Sequence, residues 1–117
     1  MKPERTIAPL FWLLFGAGGM LAALFGPALI VVTGILAPQG LGIRADYRSA
    51  LALAQNPLGK LVLLGIIALF LWHAAERIFL TLKDMRAGSV LALRLLTYGL
   101  AAVLSFAAIV LLIAIGF

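Results

Sequence analysis

The stretch LLTYGLAAVLSFAAIVLLIAIGF, at residues 95–117, contains 23 residues and no charged side chain. A bilayer core is about 30 Å thick, and an α-helix needs about 20 apolar residues to cross it. This stretch is therefore long enough and apolar enough to form a transmembrane helix. It indicates that lipid is the solvent for much of the protein.

The composition of the whole sequence agrees with this interpretation. Of its 117 residues, 65% are hydrophobic, and a water-soluble protein of this size buries only about two-thirds of its unfolded surface. With this composition, the surface that stays exposed would include large apolar patches in water. The net charge is +5, but the basic residues form no stripe of the kind that binds nucleic acid. The lack of cysteine excludes disulfides, thiolate zinc sites and cysteine-ligated iron–sulfur clusters.

Two further spans precede the first one described. Residues 10–36 lie in the uncharged interval between Arg5 and Arg44, and residues 58–80 are long enough to cross although Lys60 lies near one end. A cleavable signal peptide is the competing interpretation of residues 10–36, but that apolar run is too long and contains Pro27. The sequence therefore predicts an all-α membrane protein with three transmembrane helices in an up-down-up arrangement.

The distribution of Lys and Arg predicts the orientation, because both concentrate in cytoplasmic flanks. Six basic residues flank the spans on the side of the N-terminus and three on the other side. We therefore expect a cytoplasmic N-terminus and a C-terminus outside. The six are Lys2, Arg5, Arg77, Lys83, Arg86 and Arg94, and the three are Arg44, Arg48 and Lys60.

The connection between the first two spans predicts a short helix over residues 46–55, lying in the membrane interface. Asp46 suits an N-cap, and Tyr47, Leu51 and Ala54 follow at helical spacing. The second connection, KDMRAGSV, is short enough to make the second and third spans antiparallel neighbours.

Polar residues cluster at one end of the second span. His73, Glu76 and Arg77 share one helix face, and ionisable residues inside a membrane usually face a partner or the bundle interior. In an antiparallel arrangement, Trp12 of the first span lies at a similar depth. The sequence thus predicts a polar pocket at the cytoplasmic edge, with Gly16, one turn from Trp12, leaving room for a flat ring.

Simpler interpretations of the same residues stay open. Glu76 and Arg77 could extend to the interface, His73 could hydrogen-bond a neighbouring helix, and Trp12 could belong to an aromatic belt. The first span also carries a face of small residues that suits close helix packing in lipid. This face consists of Gly16, Gly19, Ala23 and Gly26.

Three motifs resemble the D subunit of fumarate reductase, a membrane anchor of the quinol:fumarate reductase complex. They are FWLLFGAGGM at residues 11–20, PQGL at residues 38–41, and LW followed by ER at residues 71–77. The resemblance implies a single membrane-anchor domain over residues 1–117, in the bacterial inner membrane and without catalytic residues of its own. It also implies a second anchor similar to the C subunit of that complex, together with an iron–sulfur subunit and a flavoprotein subunit that carry the iron–sulfur clusters and FAD.

The resemblance further implies a menaquinol site at the interface with the partner subunits. Trp12 matches a tryptophan that donates to the quinone, and Arg77 matches an arginine of the same pocket. Relatives often have histidine at position 76, so Glu76 leaves open whether this position donates a hydrogen bond or handles protons. The predicted quinone-binding residues are Trp12, Gly16, His73, Glu76 and Arg77.

Other functions remain as alternatives. His73 and Asp84 have the spacing that ligates haem b in the wider succinate dehydrogenase superfamily, which would make this protein a haem b-bearing succinate:quinone oxidoreductase anchor. That haem needs a second axial ligand, and the sequence has no other histidine. A small transporter subunit usually carries an ionisable residue near the midplane. A purely structural anchor would leave the quinone to its sister subunits.

Overall fold

The computed structural model describes residues 7–41 and 46–117, and the regular elements of these two ranges are helices. Helix α1 spans Ala8–Leu29 and continues as a π-helical segment, Ile30–Leu36; α2 spans Tyr47–Gln55, α3 Pro57–Asp84 and α4 Val90–Ala114. Three helices are long and apolar enough to cross a membrane: Ala8–Leu36, Pro57–Asp84 and Val90–Ala114. The predicted all-α fold with three membrane-spanning helices is confirmed.

Contacts between the helices establish the up-down-up arrangement. Phe15, early in α1, lies beside His73, late in α3. Lys60, early in α3, lies beside Leu112, late in α4. Helix α3 therefore runs antiparallel to both α1 and α4 and packs between them.

The long first helix changes its hydrogen bonding near its end. The N–H of Ala37 donates to the carbonyl of Val32 over 2.9 Å, a spacing of five residues. Pro27 lies inside the helix shortly before this segment, and a proline cannot donate to the carbonyl four residues earlier. Pro27 therefore leaves the carbonyl of Ala23 without its usual donor, and the π-helical segment begins three residues after the proline. Hydropathy alone does not predict this change.

Short caps define the other helix ends. Asp46 accepts a hydrogen bond from the Ser49 N–H over 2.8 Å at the start of α2, and the hydrogen bonds from Ser49 hold the pKa of Asp46 below its ordinary value. Asn56 accepts from the N–H groups of Leu58 and Gly59 over 2.9 and 3.2 Å at the start of α3. Helix α2 therefore lies where the sequence predicts a short helix, over residues 46–55. Its position in the membrane interface stays a prediction.

The turn between α3 and α4 is tight. The N–H of Ala87 donates to the carbonyl of Leu82 over 3.0 Å, and Arg86 adopts a left-handed conformation with φ of 53°. This pattern is a common helix C-cap, usually with glycine at the left-handed position. Ser89 then caps α4 by accepting from the Ala92 N–H over 3.2 Å.

The helices do not coincide with the predicted spans. Helix α3 continues to Asp84 and α4 begins at Val90, so both helices extend beyond the predicted spans at this turn and Arg94 lies in the first turns of α4, after the Ser89 cap. The part of each helix that lies in the membrane stays a prediction. Of the residues used for the orientation count, Lys2, Arg5 and Arg44 lie outside the described residues. The side of the membrane on which the N-terminus lies stays a prediction.

Candidate functional site

Two glycines bring α1 onto α3. A Cβ on Gly18 would lie 2.5 Å from the carbonyl oxygen of Leu69, and a Cβ on Gly19 would lie 2.7 Å from Cε1 of His73. A Cβ at either position would force a neighbouring atom to move, and at Gly18 that atom belongs to the backbone of α3. In contrast, a Cβ on Gly16 or Gly26 would meet no described atom within 4 Å. Of the predicted small-residue face, Gly19 therefore packs on α3, and Gly18, which is outside that prediction, packs there as well.

This close approach fixes the imidazole of His73. Its Nδ1 lies 2.7 Å from the carbonyl oxygen of Phe15 in α1. A carbonyl can only accept, so Nδ1 carries the hydrogen and donates it. In the neutral ring, Nε2 then carries the lone pair. The interhelical hydrogen bond considered for His73 is present, and it leaves the second nitrogen able to accept.

A groove with a volume of about 840 Å³ opens where α1 begins and α3 ends. All five predicted site residues line it, together with residues outside the sequence-based prediction. We call it the polar groove, and its lining residues are Ala8, Phe11, Trp12, Phe15, Gly16, His73, Glu76, Arg77, Leu80 and Arg94.

The wall that α1 contributes to the polar groove is aromatic. Phe11 and Phe15 stack with ring centroids 6.4 Å apart, and the Trp12 side chain is 80% exposed. A cofactor or substrate in the groove would therefore meet the faces and edges of aromatic rings together with an indole N–H donor. The open space at Gly16 lies on the same wall.

The opposite side of the polar groove carries the charged groups. Glu76 and Arg77 come from α3, and Arg94 comes from α4. The guanidinium carbon of Arg94 lies 5.5 Å from the centroid of the Phe79 ring, a cation–π distance. The groove thus combines two cations, one carboxylate and one imidazole at one end of the helix bundle.

Helix α4 contributes more than a charge. The hydroxyl of Tyr98 donates a hydrogen bond to a carboxylate oxygen of Glu76. The Tyr98 ring lies between Trp72, with centroids 6.0 Å apart, and Phe79, with centroids 5.7 Å apart. Arg94 and Tyr98 are both missing from the site predicted from sequence. Arg94 and Tyr98 are four residues apart and therefore share one face of α4. Because α4 follows a tight antiparallel turn, this spacing could have predicted that both side chains lie near the end of α3.

A second groove continues from the first toward the middle of the helices. Its volume is about 510 Å³, and it shares Phe11 and Phe15 with the polar groove. Its position along α3 is one to three turns further into the helix. We call it the apolar groove, and its lining residues are Phe11, Leu14, Phe15, Ala68, Leu69, Trp72 and Tyr98.

The described residues contain no cluster of three histidine, aspartate or glutamate side chains that could hold a metal ion. His73 and Asp84 both lie on α3, eleven residues apart, and the sequence has a single histidine. A haem b held by the protein on both sides needs a second axial residue. This chain supplies a single histidine for such a site.

Comparison with known proteins identifies relatives along most of the sequence. The family model that matches residues 2–113 describes the D subunit of fumarate reductase. A fumarate reductase D subunit from Vibrio cholerae is 36% identical over 112 residues, which cover 93% of this chain and 85% of the relative. One from Vibrio vulnificus is 32% identical over 111 residues, covering 92% and 88%. One from Mycobacterium bovis is 43% identical over 74 residues, covering 63% of this chain and 59% of the relative.

Proposed function

The chain belongs to the family of fumarate reductase D subunits, and on this premise we propose that it helps to form a menaquinol oxidation site. It is a membrane-anchor subunit with three spanning helices, and membership in this family implies a fumarate reductase complex with other subunits. In our proposal, it acts with a second anchor in the bacterial inner membrane. Together they hold the iron–sulfur and flavoprotein subunits on the cytoplasmic face.

The observation that carries the proposal is the polar groove. A quinone head group is flat and has two carbonyl oxygens, so its site needs an aromatic wall and a donor for each oxygen. Trp12 offers an indole N–H, Arg77 offers a guanidinium, and Gly16 leaves open space beside them. The residues present therefore fit a quinone head group.

The same groove contains groups that could accept protons. When bound, menaquinol would supply two electrons and two protons, and the electrons would pass to cofactors in the partner subunits. Glu76 and Nε2 of His73 are the proton acceptors that the described part of this chain offers there. Arg77 and Arg94 would stabilise negative charge in the groove, because charges in a poorly hydrated site interact more strongly than in water.

The isoprenoid tail has a matching surface in the apolar groove. At 1.5 Å per residue, Ala68 lies about 12 Å along α3 from Glu76. A tail leaving the polar groove between Phe11 and Phe15 would thus run toward the membrane interior along apolar side chains. The head group would then lie at the membrane edge and the tail in the membrane interior.

Arg77→Leu and Trp12→Phe test the site in fully assembled complexes. Losing one charge-assisted hydrogen bond costs about 1.5–3 kcal/mol, so we expect Arg77→Leu to slow menaquinol oxidation by about ten- to a hundredfold. Trp12→Phe removes a neutral donor and should slow it less. Fumarate reduction with an artificial dye should not change, because the dye bypasses the quinol.

Arg48→Leu is the matched control, since Arg48 is an exposed arginine of α2, outside both grooves. It should oxidise menaquinol like the parent. If Arg77→Leu and Trp12→Phe also do so, the quinol site is elsewhere, and the protein is a structural anchor that leaves the quinone to its sister subunits.

A further inference from the structure

Tyr98 is an α4 side chain that joins the two grooves to the carboxylate of α3. It lines the apolar groove, and its hydroxyl donates to Glu76, which lines the polar groove. Hydrogen bonds between two side chains are a minority of protein hydrogen bonds. This one lies at the boundary of the site.

The surroundings of Tyr98 restrict its ring. Trp72 is nearly parallel to it, with an interplanar angle of 27°, and Phe79 meets it at 45°. Phe79 is 5% exposed, so that neighbour is itself held by packing. A ring held between two aromatic neighbours keeps its hydroxyl directed at Glu76 without a large further loss of side-chain entropy.

We infer that Tyr98 is a positioning residue that holds the Glu76 carboxylate in the polar groove, in the orientation that accepts a proton from the bound quinol. This inference rests on the proposed function. A carboxylate has about four lone-pair positions, so one hydrogen bond from Tyr98 orients the group and leaves oxygen positions free. The proton leaves a quinol hydroxyl and is bound by a carboxylate oxygen.

A hydrogen bond donated to a carboxylate favours its charged form. Removing the Tyr98 hydroxyl should therefore move the acid limb of the pH–rate profile of menaquinol oxidation to higher pH. The other charged or titratable groups of the polar groove are His73 and Arg77 on α3 and Arg94 on α4, while the part of α1 that lines it contributes none. All three remain in a Tyr98→Phe variant, so the shift would report the hydroxyl.

The experiment compares pH–rate profiles of four purified complexes with the parent. Tyr98→Phe keeps the ring and should shift the acid limb, whereas Glu76→Gln should abolish that limb. The double variant should behave like Glu76→Gln. Thr97→Val is the matched control: it removes a neighbouring α4 hydroxyl that donates to the Leu93 carbonyl over 2.9 Å, and its profile should equal that of the parent.

An unshifted profile in Tyr98→Phe overturns the inference, as does a further shift when Tyr98→Phe is added to Glu76→Gln. If Arg77→Leu slows oxidation while Tyr98→Phe leaves the profile unchanged, this inference fails and the quinol site stands. If neither variant has an effect, the proposed function itself fails.

Infrared spectroscopy gives a readout that needs no change at Tyr98. In complexes with ring-labelled tyrosine, the difference spectrum between the parent and Glu76→Gln should contain a shifted phenol C–O band, because the acceptor of the Tyr98 hydroxyl has changed. A difference spectrum without a tyrosine band overturns the inference even if Tyr98→Phe does not assemble.

Discussion

Among single residues, Lys60 has the environment that differs most from the one predicted from the sequence. In the charge count for the orientation it is a surface cation, yet the residue is 8% exposed. Its ammonium group donates to the Leu112 carbonyl near the end of α4 and lies 4.9 Å from the centroid of the Phe117 ring. A cation at a helix C-terminus is stabilised by the unpaired carbonyls there. Lys60 therefore ties the start of α3 to the end of α4.

Replacing Lys60 by Met should destabilise the protein. The change leaves the Leu112 carbonyl without its charged donor, and a hydrogen bond to a charged group contributes about 1.5–3 kcal/mol. We expect the assembled complex to unfold at a lower concentration of SDS. Lys83→Met, at an exposed position of the same helix, should leave the midpoint unchanged, and equal midpoints for both variants would contradict this role of Lys60.

Helical spacing in the sequence predicts some of the contacts in the polar groove and not others. His73, Glu76 and Arg77 meet in one groove because helical spacing alone puts them on one face. The contact of Lys60 with α4 and of Tyr98 with Glu76 depends on how two helices are rotated against each other, which hydropathy does not record.

At the scale of helices, the packing of α1 on α3 decides where the groove opens. Gly18 lies against the backbone of α3 while Gly16 faces open space, two residues apart on the same helix. The sequence offers no way to tell which of these glycines packs and which leaves room for a ligand. The rotation of α1 about its axis, set by the contact with Leu69 and His73, assigns them different surroundings.

Gly18→Ala should therefore lower the stability of the complex, whereas Gly16→Ala should affect menaquinol oxidation. Gly18→Ala forces α1 away from α3, and overpacking of this kind costs about 1–3 kcal/mol, so the complex should unfold at lower SDS concentration. Gly16→Ala should keep the parent's stability and slow menaquinol oxidation, because its methyl group enters the polar groove. Equal stability of the two variants would refute the assigned helix rotation.

The apolar groove allows a test of the tail position. Ala68→Phe fills part of this groove, so the KM for a quinol with a long isoprenoid tail should rise severalfold, while a quinol analogue without a tail should be oxidised as before. Ala102→Phe makes the same change at an exposed position of α4 that lines neither groove, and should leave both KM values unchanged. An equal rise for both substrates would mean that Ala68→Phe disturbs the head group and not a tail site.

At the scale of the whole molecule, composition and hydropathy predict the three-helix fold, but not which apolar surfaces are covered. Many large apolar side chains of α1 face outward, among them Leu13 at 70% and Met20 at 76% exposure. Lipid-facing and protein-facing surfaces in a membrane are equally apolar, so hydropathy cannot separate them. Such surfaces suit an anchor that is packed among lipid and sister subunits.

The orientation of the molecule gives a further prediction. Six basic flanking residues against three predict a cytoplasmic N-terminus, so alkaline phosphatase fused after Phe117 should be active, since it works only outside the cytoplasm. The same enzyme inserted after Gly88, in the turn between α3 and α4, should be inactive. The reverse pattern would invert the molecule and place the polar groove at the outer edge of the membrane.

The π-helical segment that ends the first spanning helix also determines how this helix would respond to the loss of one residue. Each π turn accommodates one more residue than an α turn, so Ile30–Leu36 holds residues that an α-helix of the same height would not need. A one-residue deletion within this segment could be absorbed by a return to α geometry. The aromatic wall around Trp12 would then keep its place while the chain became one residue shorter.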